Sequence, residues 1–184
     1  MESPRLRLVP ISDSHLPGFH RIWSNADATR WSSRGLCKTL EESKQWMSGI
    51  QSDLNPEGLN YAVFIRPETH PTQNKEKGLE EGDMIGVLGV YRPVPVAELG
   101  YTFHPSAWGR GYATEAVRVF IEKFWELRPA VRKVVARCDA ENVGSVRVLQ
   151  KSGFREIGRT SEKVTLPAMG TGMREVVDFE ITPP

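Results

Sequence analysis

The chain lacks an excess of either charge, has little cysteine, and shows no long apolar run and no clustered histidines. Each shortage removes a class of function. Lys and Arg number 24 against 23 Asp and Glu, for a formal charge of +1. Nothing in that balance drives the protein onto nucleic acid or an anionic membrane, and neither partner is expected. No apolar run approaches the ~20 residues that a bilayer-crossing helix needs. The opening Met1-Glu2-Ser3-Pro4-Arg5 leads into no apolar stretch, so no secretory signal is expected. Cys37 and Cys138 are the two cysteines. They stand far apart, in no ligand pattern, and free thiols in a reducing cytoplasm are the expectation. Cys138 lies in an apolar run and reads as a small buried hydrophobe. His15, His20, His70 and His104 are scattered, and no metal site is expected.

What remains is an ordinary globular composition. Apolar residues make up 39% and charged residues 26% of 184 positions. That suits one domain spanning residues 1–184, with no internal repeat and no linker dividing it. Leu6 to Pro10 alternates as a strand, with Pro10 closing it or marking an edge. Asp13 fits the cap of a helix carrying Leu16, Phe19, Ile22 and Trp23 on one face. Thr39 to Glu42 fits a capping box, starting a helix with Trp46, Met47, Ile50 and Leu54 inward. Residues 60–66 and 84–91 read as strands. Between them Pro67 to Asp83 is polar and reads as a long flexible hairpin loop.

The second half is more regular. Ala97 to Phe103 reads as a strand. Tyr112 to Leu127 is amphipathic, with Ala113, Ala116, Val117, Phe120, Ile121 and Phe124 recurring at helical steps until Pro129 stops it. Lys133 to Cys138 follows as a strand, then a short helix from Asn142 to Lys151 ended by Gly153. Two last strands are expected near Phe154–Arg159 and Glu175–Ile181. Antiparallel pairs with one central βαβ crossover define a mixed α/β fold.

Gly109-Arg110-Gly111-Tyr112-Ala113 lies between a strand and a helix. Two glycines allow a tight turn that exposes successive N–H groups. The unpaired amides and dipole of the following helix point the same way, which makes an anion site suited to a pyrophosphate. Arg110 adds charge. Upstream stands Glu98-Leu99-Gly100-Tyr101-Thr102-Phe103-His104-Pro105. Downstream stand Asn142-Val143-Gly144-Ser145 and Gly153-Phe154.

Together these segments resemble the GNAT N-acetyltransferases, nearest the RimJ/RimL branch that acetylates ribosomal-protein N-termini. The family signature is Gln or Arg, two residues, Gly, one residue, then Gly or Ala. It falls on Trp108 to Ala113, with Trp108 in place of the usual first residue. The resemblance implies a central, mostly antiparallel splayed sheet flanked by about four helices. It also implies acetyl-CoA as co-substrate and a primary amine as acceptor, in a monomer or homodimer. Tyr101 and Phe103 match the strand whose backbone meets the pantetheine arm. Trp108, Gly109, Arg110, Gly111, Tyr112 and Ala113 match the pyrophosphate loop, and Asn142 and Arg147 match contacts from the next helix. Gly100 is a candidate for a bulge that splays the strands.

Acetyl transfer to an amine needs a base for the amine, polarisation of the carbonyl and release of a thiolate. Glu98 matches the strand glutamate that acts as base in several of these enzymes, given burial or an intervening water. A backbone N–H near Tyr101 to Phe103 serves the carbonyl. The usual acid, a tyrosine, is replaced by Leu149, which cannot donate a proton. Ser145 one turn earlier is the substitute, although Ser is common in any first turn. Asn142 doubles as an N-cap. Glu115 reads as structural, and His104 as a loop residue. Trp31 and Arg34 fall where the family walls its acceptor site. The branch points to a peptide N-terminus as acceptor, with a small amine as the alternative. The loss at Leu149 also leaves open a domain that binds acetyl-CoA without catalysis. A Rossmann dinucleotide site is the other rival, with Asp139 ending the next strand. The third glycine of that fingerprint is missing, its place taken by Thr114.

Overall fold

A computed structural model describes residues 1–66 and 82–184. Its centre is one sheet of seven strands, β1 (Leu6–Pro10), β2 (Leu59–Ile65), β3 (Met84–Val90), β4 (Ala97–Phe103), β5 (Val134–Asp139), β6 (Arg155–Leu166) and β7 (Gly170–Ile181). The order across it is β1-β2-β3-β4-β5-β7-β6. Every pairing is antiparallel except β4 with β5. That arrangement rules out the parallel sheet of a dinucleotide fold.

The two faces are covered differently. Helices α4 (Tyr112–Leu127) and α5 (Val143–Lys151) lie over a core that includes Leu6, Leu8, Val63, Phe120, Phe124 and Phe179. Helices α1 (Leu16–Trp23), α2 (Ala26–Thr29) and α3 (Leu40–Ser48) cover the other face over Phe19, Ile22, Met47 and Val87. The inner strand β3 is buried at all seven positions. Gly86 within it is required, because a Cβ there would stand 2.5 Å from the Phe103 ring. Each fully buried aliphatic or aromatic side chain contributes roughly 1.5–3 kcal/mol, so the two cores, not helix propensity, hold the elements in place.

Several expectations need correction. Ser12, not Asp13, stands ahead of the first helical turn, and its N–H donates to His15 Nδ1 at 3.1 Å. The Asp13 carboxylate is occupied by the Gln51 amide at 2.9 Å. Thr39 caps α3 by accepting from the Glu42 N–H, but the Glu42 carboxylate accepts from the Lys38 N–H, one residue before the cap. The helix then stops at Gly49, so Leu54 leaves the buried face and is 72% exposed. The register of β4 against β3 runs unbroken from Leu99 to Phe103. Gly100 therefore carries no bulge, and the splay has another origin.

The last hairpin is longer than its hydrophobic pattern suggested. β6 and β7 continue to Leu166 and Gly170, well beyond the expected bounds at Arg159 and Glu175. Most of that extension faces water. Cross-strand polar pairs hold it, with Thr165 and Thr171 hydroxyls at 2.8 Å and Arg159 against Glu175 at 2.9 Å. The loop expected over Pro67 to Asp83 falls mostly on residues 67–81, outside the described residues.

Candidate functional site

β4 and β5 pair only at Ala97↔Val134 and Glu98↔Val135. Beyond that point they part. A cleft of about 1160 Å³ opens between them and runs from the β4–α4 loop to the aromatic side chains of α1 and α3. The ladder explains what faces it. The His104 N–H donates to the Ile85 carbonyl, so in antiparallel alternation Thr102 and Gly100 also turn their backbone groups toward β3. Tyr101 and Phe103 turn theirs the other way, into the gap. The Phe103 carbonyl is then taken by the Trp108 indole N–H at 2.9 Å. That leaves the Phe103 N–H and both backbone groups of Tyr101 toward the cleft.

The loop at one end is built as the two glycines suggested. His104 caps a single 3-10 turn, Pro105–Ala107, by accepting from the Ser106 N–H. Burial first, and Arg21 second, hold its imidazole below the ordinary value. It is not among the residues lining the cleft. Gly109 and Gly111 follow at φ +74° and +78°. Gly109, Gly111, Tyr112, Ala113 and Trp108 all line the cleft, whereas Arg110 does not. The space a Cβ would occupy at Gly109 meets nothing within 4 Å, so a ligand can approach the bare backbone. The Glu115 N–H makes the first bond of α4, to the Gly111 carbonyl. The amides of Ala113 and Thr114 precede it and have no carbonyl one turn back. Open backbone, free helix amides and a positive dipole end fit the pyrophosphate of a coenzyme A molecule.

The downstream residues come to the same cleft. Asn142 is the N-cap of α5, its side chain accepting from the Ser145 N–H at 3.2 Å. The Tyr101 hydroxyl crosses the gap and donates to the Ser145 carbonyl at 3.2 Å. Burial holds that phenol above its ordinary value, so it remains a donor at neutral pH. Leu149 is fully buried, while Arg147 and Lys151 line the cleft exposed. On the opposite face of β4, Glu98 is exposed beside Gly100 and Thr102. Its carboxylate opens to solvent at that end of the cleft.

Some lining residues had no strong sequence signal. Cys138 faces the cleft rather than the core alone. Burial, then Asp139 and Glu156, push its thiol up to about 11. Trp23 of α1 and Trp46 of α3, whose periodicity announces only packing, converge with Asp27 of the single-turn α2 and with Trp31 just after it. Trp31 lines the cleft as expected. Arg34 does not, but its guanidinium lies 4.6 Å from the Trp46 ring. Among the described residues no group of His, Cys, Asp and Glu is placed to hold a metal.

This geometry has known counterparts. The profile of the acetyltransferase (GNAT) domain matches residues 5–155, and the chain belongs to that family of acyltransferases. The uncharacterized N-acetyltransferase YnaD of Bacillus subtilis is 31% identical over 137 residues, covering 64% of this chain and 77% of that protein. Among solved structures, a Salmonella typhimurium acetyltransferase that modifies the N-terminal serine of ribosomal protein L7/L12 superposes with a TM-score of 0.77. It is 19% identical and covers 99% of this chain and 97% of its own. A spermidine N-acetyltransferase of Vibrio cholerae, bound to CoA and spermine, superposes at 0.75 with 15% identity, covering 98% and 96%. At those identities the likeness establishes the fold alone.

Proposed function

We propose that this protein transfers the acetyl group of acetyl-CoA to a primary amine at the N-terminus of a peptide or protein, by direct attack on the thioester. The observation that carries this reading is the gap between β4 and β5, with bare glycine backbone at one end and Glu98 at the other. Acetyl-CoA supplies an activated acyl group when bound. Gly109, Gly111, Tyr112 and Ala113 hold its pyrophosphate, Trp108 anchors that loop to β4, Arg110 and Arg147 add positive charge, and Asn142 orients α5 beside the arm. The backbone of Tyr101 and Phe103 positions the pantetheine and polarises the carbonyl. The Glu98 carboxylate takes the amine's proton through a water, and Ser145 Oγ–H passes a proton to the departing thiolate and regains one from solvent. Cys138 invites a two-step route through an acyl-cysteine. Its raised thiol value keeps it protonated near neutrality and so favours direct attack.

The peptide acceptor is supported by the mouth of the cleft. Glu98, Tyr91, Arg92 and Val96 line it and are exposed, a border open enough for the first residue of a chain to enter. A second reading has its own support. Trp23, Trp31 and Trp46 stand with Asp27 and Glu98 at that end, a combination that suits a small cationic amine. Thiol release from acetyl-CoA separates the two. Peptides with a free N-terminus should stimulate it, and their N-blocked forms should not. Stimulation by spermidine alone would replace the peptide reading. Tight CoA binding with no stimulation by any amine would retire the enzyme reading.

A further inference from the structure

The signature loop is flanked by two glycines, and that freedom carries a cost. The peptide between Arg110 and Gly111 can flip at little expense because the residue after it is a glycine, free to change the sign of φ. In one orientation it offers an N–H to the cleft, and in the other a carbonyl, which repels an anion. Something outside the loop must choose.

Arg5, just ahead of β1, reaches this peptide from outside the loop. Its Nη1 donates to the Arg110 carbonyl at 3.0 Å. Because a trans peptide sets its C=O and N–H on opposite sides, a carbonyl drawn to Arg5 turns the Gly111 N–H away from it. Gly111 itself lines the cleft. The guanidinium is in turn fixed from three sides. Its Nε donates to Glu115 Oε2 at 2.7 Å, with Nη2 at 2.5 Å from the same oxygen. Its Cζ lies 4.7 Å from the centre of the Tyr112 ring. Glu115 Oε1 accepts both the Ser3 hydroxyl at 2.6 Å and the Arg5 N–H at 3.0 Å. Burial alone would raise the Glu115 carboxyl. The bonds from Ser3 and Arg5 outweigh it and hold the group below its ordinary value. A carboxylate one turn into α4 would oppose a nearby anion, and Arg5 neutralises it.

We infer that Arg5, seated by Glu115 and Ser3, is a positioning residue that holds the Arg110–Gly111 peptide in its anion-binding orientation. The inference rests on the pyrophosphate reading of the loop. Its consequence is selective. Without the pin, only the fraction of molecules with the peptide turned correctly binds the pyrophosphate, and the apparent dissociation constant rises by the inverse of that fraction. A ligand without a pyrophosphate is indifferent to the flip.

The test compares CoA with pantetheine, which keeps the thiol arm and lacks the nucleotide, by titration calorimetry on the full chain. Wild-type protein should bind CoA well above pantetheine. Arg5→Met should weaken CoA by about ten-fold and pantetheine by less than about two-fold, the size expected if one molecule in ten keeps the competent turn. Arg5→Lys keeps the charge near Glu115 but lacks a fork to reach the Arg110 carbonyl as well. It should fall between the two, and it serves if the methionine variant does not fold. A variant that keeps the wild-type preference for CoA, or loses both ligands equally, overturns the positioning role while leaving the pyrophosphate site intact. A wild-type protein with no preference for CoA overturns the site reading itself, and this inference with it.

Discussion

Glu98 shows how a residue's place can narrow its role. It stands on β4 with its side chain exposed and its neighbour Gly100 leaving open space. In the proposed reaction, a carboxylate so placed takes the proton of the acceptor amine through a water. Replacing Glu98 with Gln should lower kcat by about 10²-fold, the low end for a general base, with the KM for acetyl-CoA nearly unchanged. Steady-state kinetics across pH check it, and an unchanged kcat profile would remove Glu98 from the proton path. Its place on β4 and at the cleft was legible from the strand and motif. Arg5 was not. Its partners Arg110 and Glu115 lie more than a hundred residues away in sequence, and no local pattern links a lone arginine near the N-terminus to a distant loop. Cys138 was half legible. Its apolar neighbours told of burial, but only the parting of β4 and β5 turns it toward the cleft.

Among the elements, those with strong internal periodicity emerged closely. α4 runs from Tyr112 to Leu127, where spacing and Pro129 placed it, and β4 matches from end to end. The elements that were missed or shortened are stabilised by partners instead of pattern. α2 is a single turn capped by Asn25, too short to show a period. The outer half of the β6–β7 hairpin has few buried side chains to alternate. The splay was expected from family resemblance, yet its anticipated cause at Gly100 is absent. The β4–β5 junction simply ends after two register pairs. At this scale the loop–helix joint is the point of greatest sensitivity. Gly111 is the N-cap of α4 at φ +78°, and a β-branched side chain is strained there by about 1–3 kcal/mol. Gly111→Val should weaken CoA binding by more than about ten-fold if that strain is relieved by leaving the left-handed turn. Retained CoA affinity, measured by calorimetry, would show that the loop does not hold the pyrophosphate.

Across the whole molecule, the segment before β1 is latched to α4 through Glu115, and that latch sets an acid limit. A carboxyl held below its ordinary value of 4.5 in the folded state contributes stability above that value and loses it as pH falls through the lower, folded value. Denaturant unfolding at about pH 6 and about pH 4 should therefore show a loss of stability in wild type that is smaller in Glu115→Gln. An equal loss in both proteins would mean that the latch adds nothing to folding. No helix of the described residues is long and apolar enough to cross a membrane.

The sheet, finally, is a fabric unzipped along one seam. Four strands hang on one side of it and three on the other, joined by two stitches between β4 and β5. The amides of Tyr101 and Phe103 are the open teeth of that zipper. In the empty protein they should trade hydrogen for deuterium far faster than the neighbouring Thr102 amide, which is tied into β3. Saturating CoA should slow the first two and leave Thr102 as it was. An unliganded protein that already protects all three would mean that the seam is closed by something other than the arm of the coenzyme. If the pattern holds, the ligand is the missing thread: it completes the sheet while it delivers the acetyl group, and the fabric loosens again when the thread is drawn out.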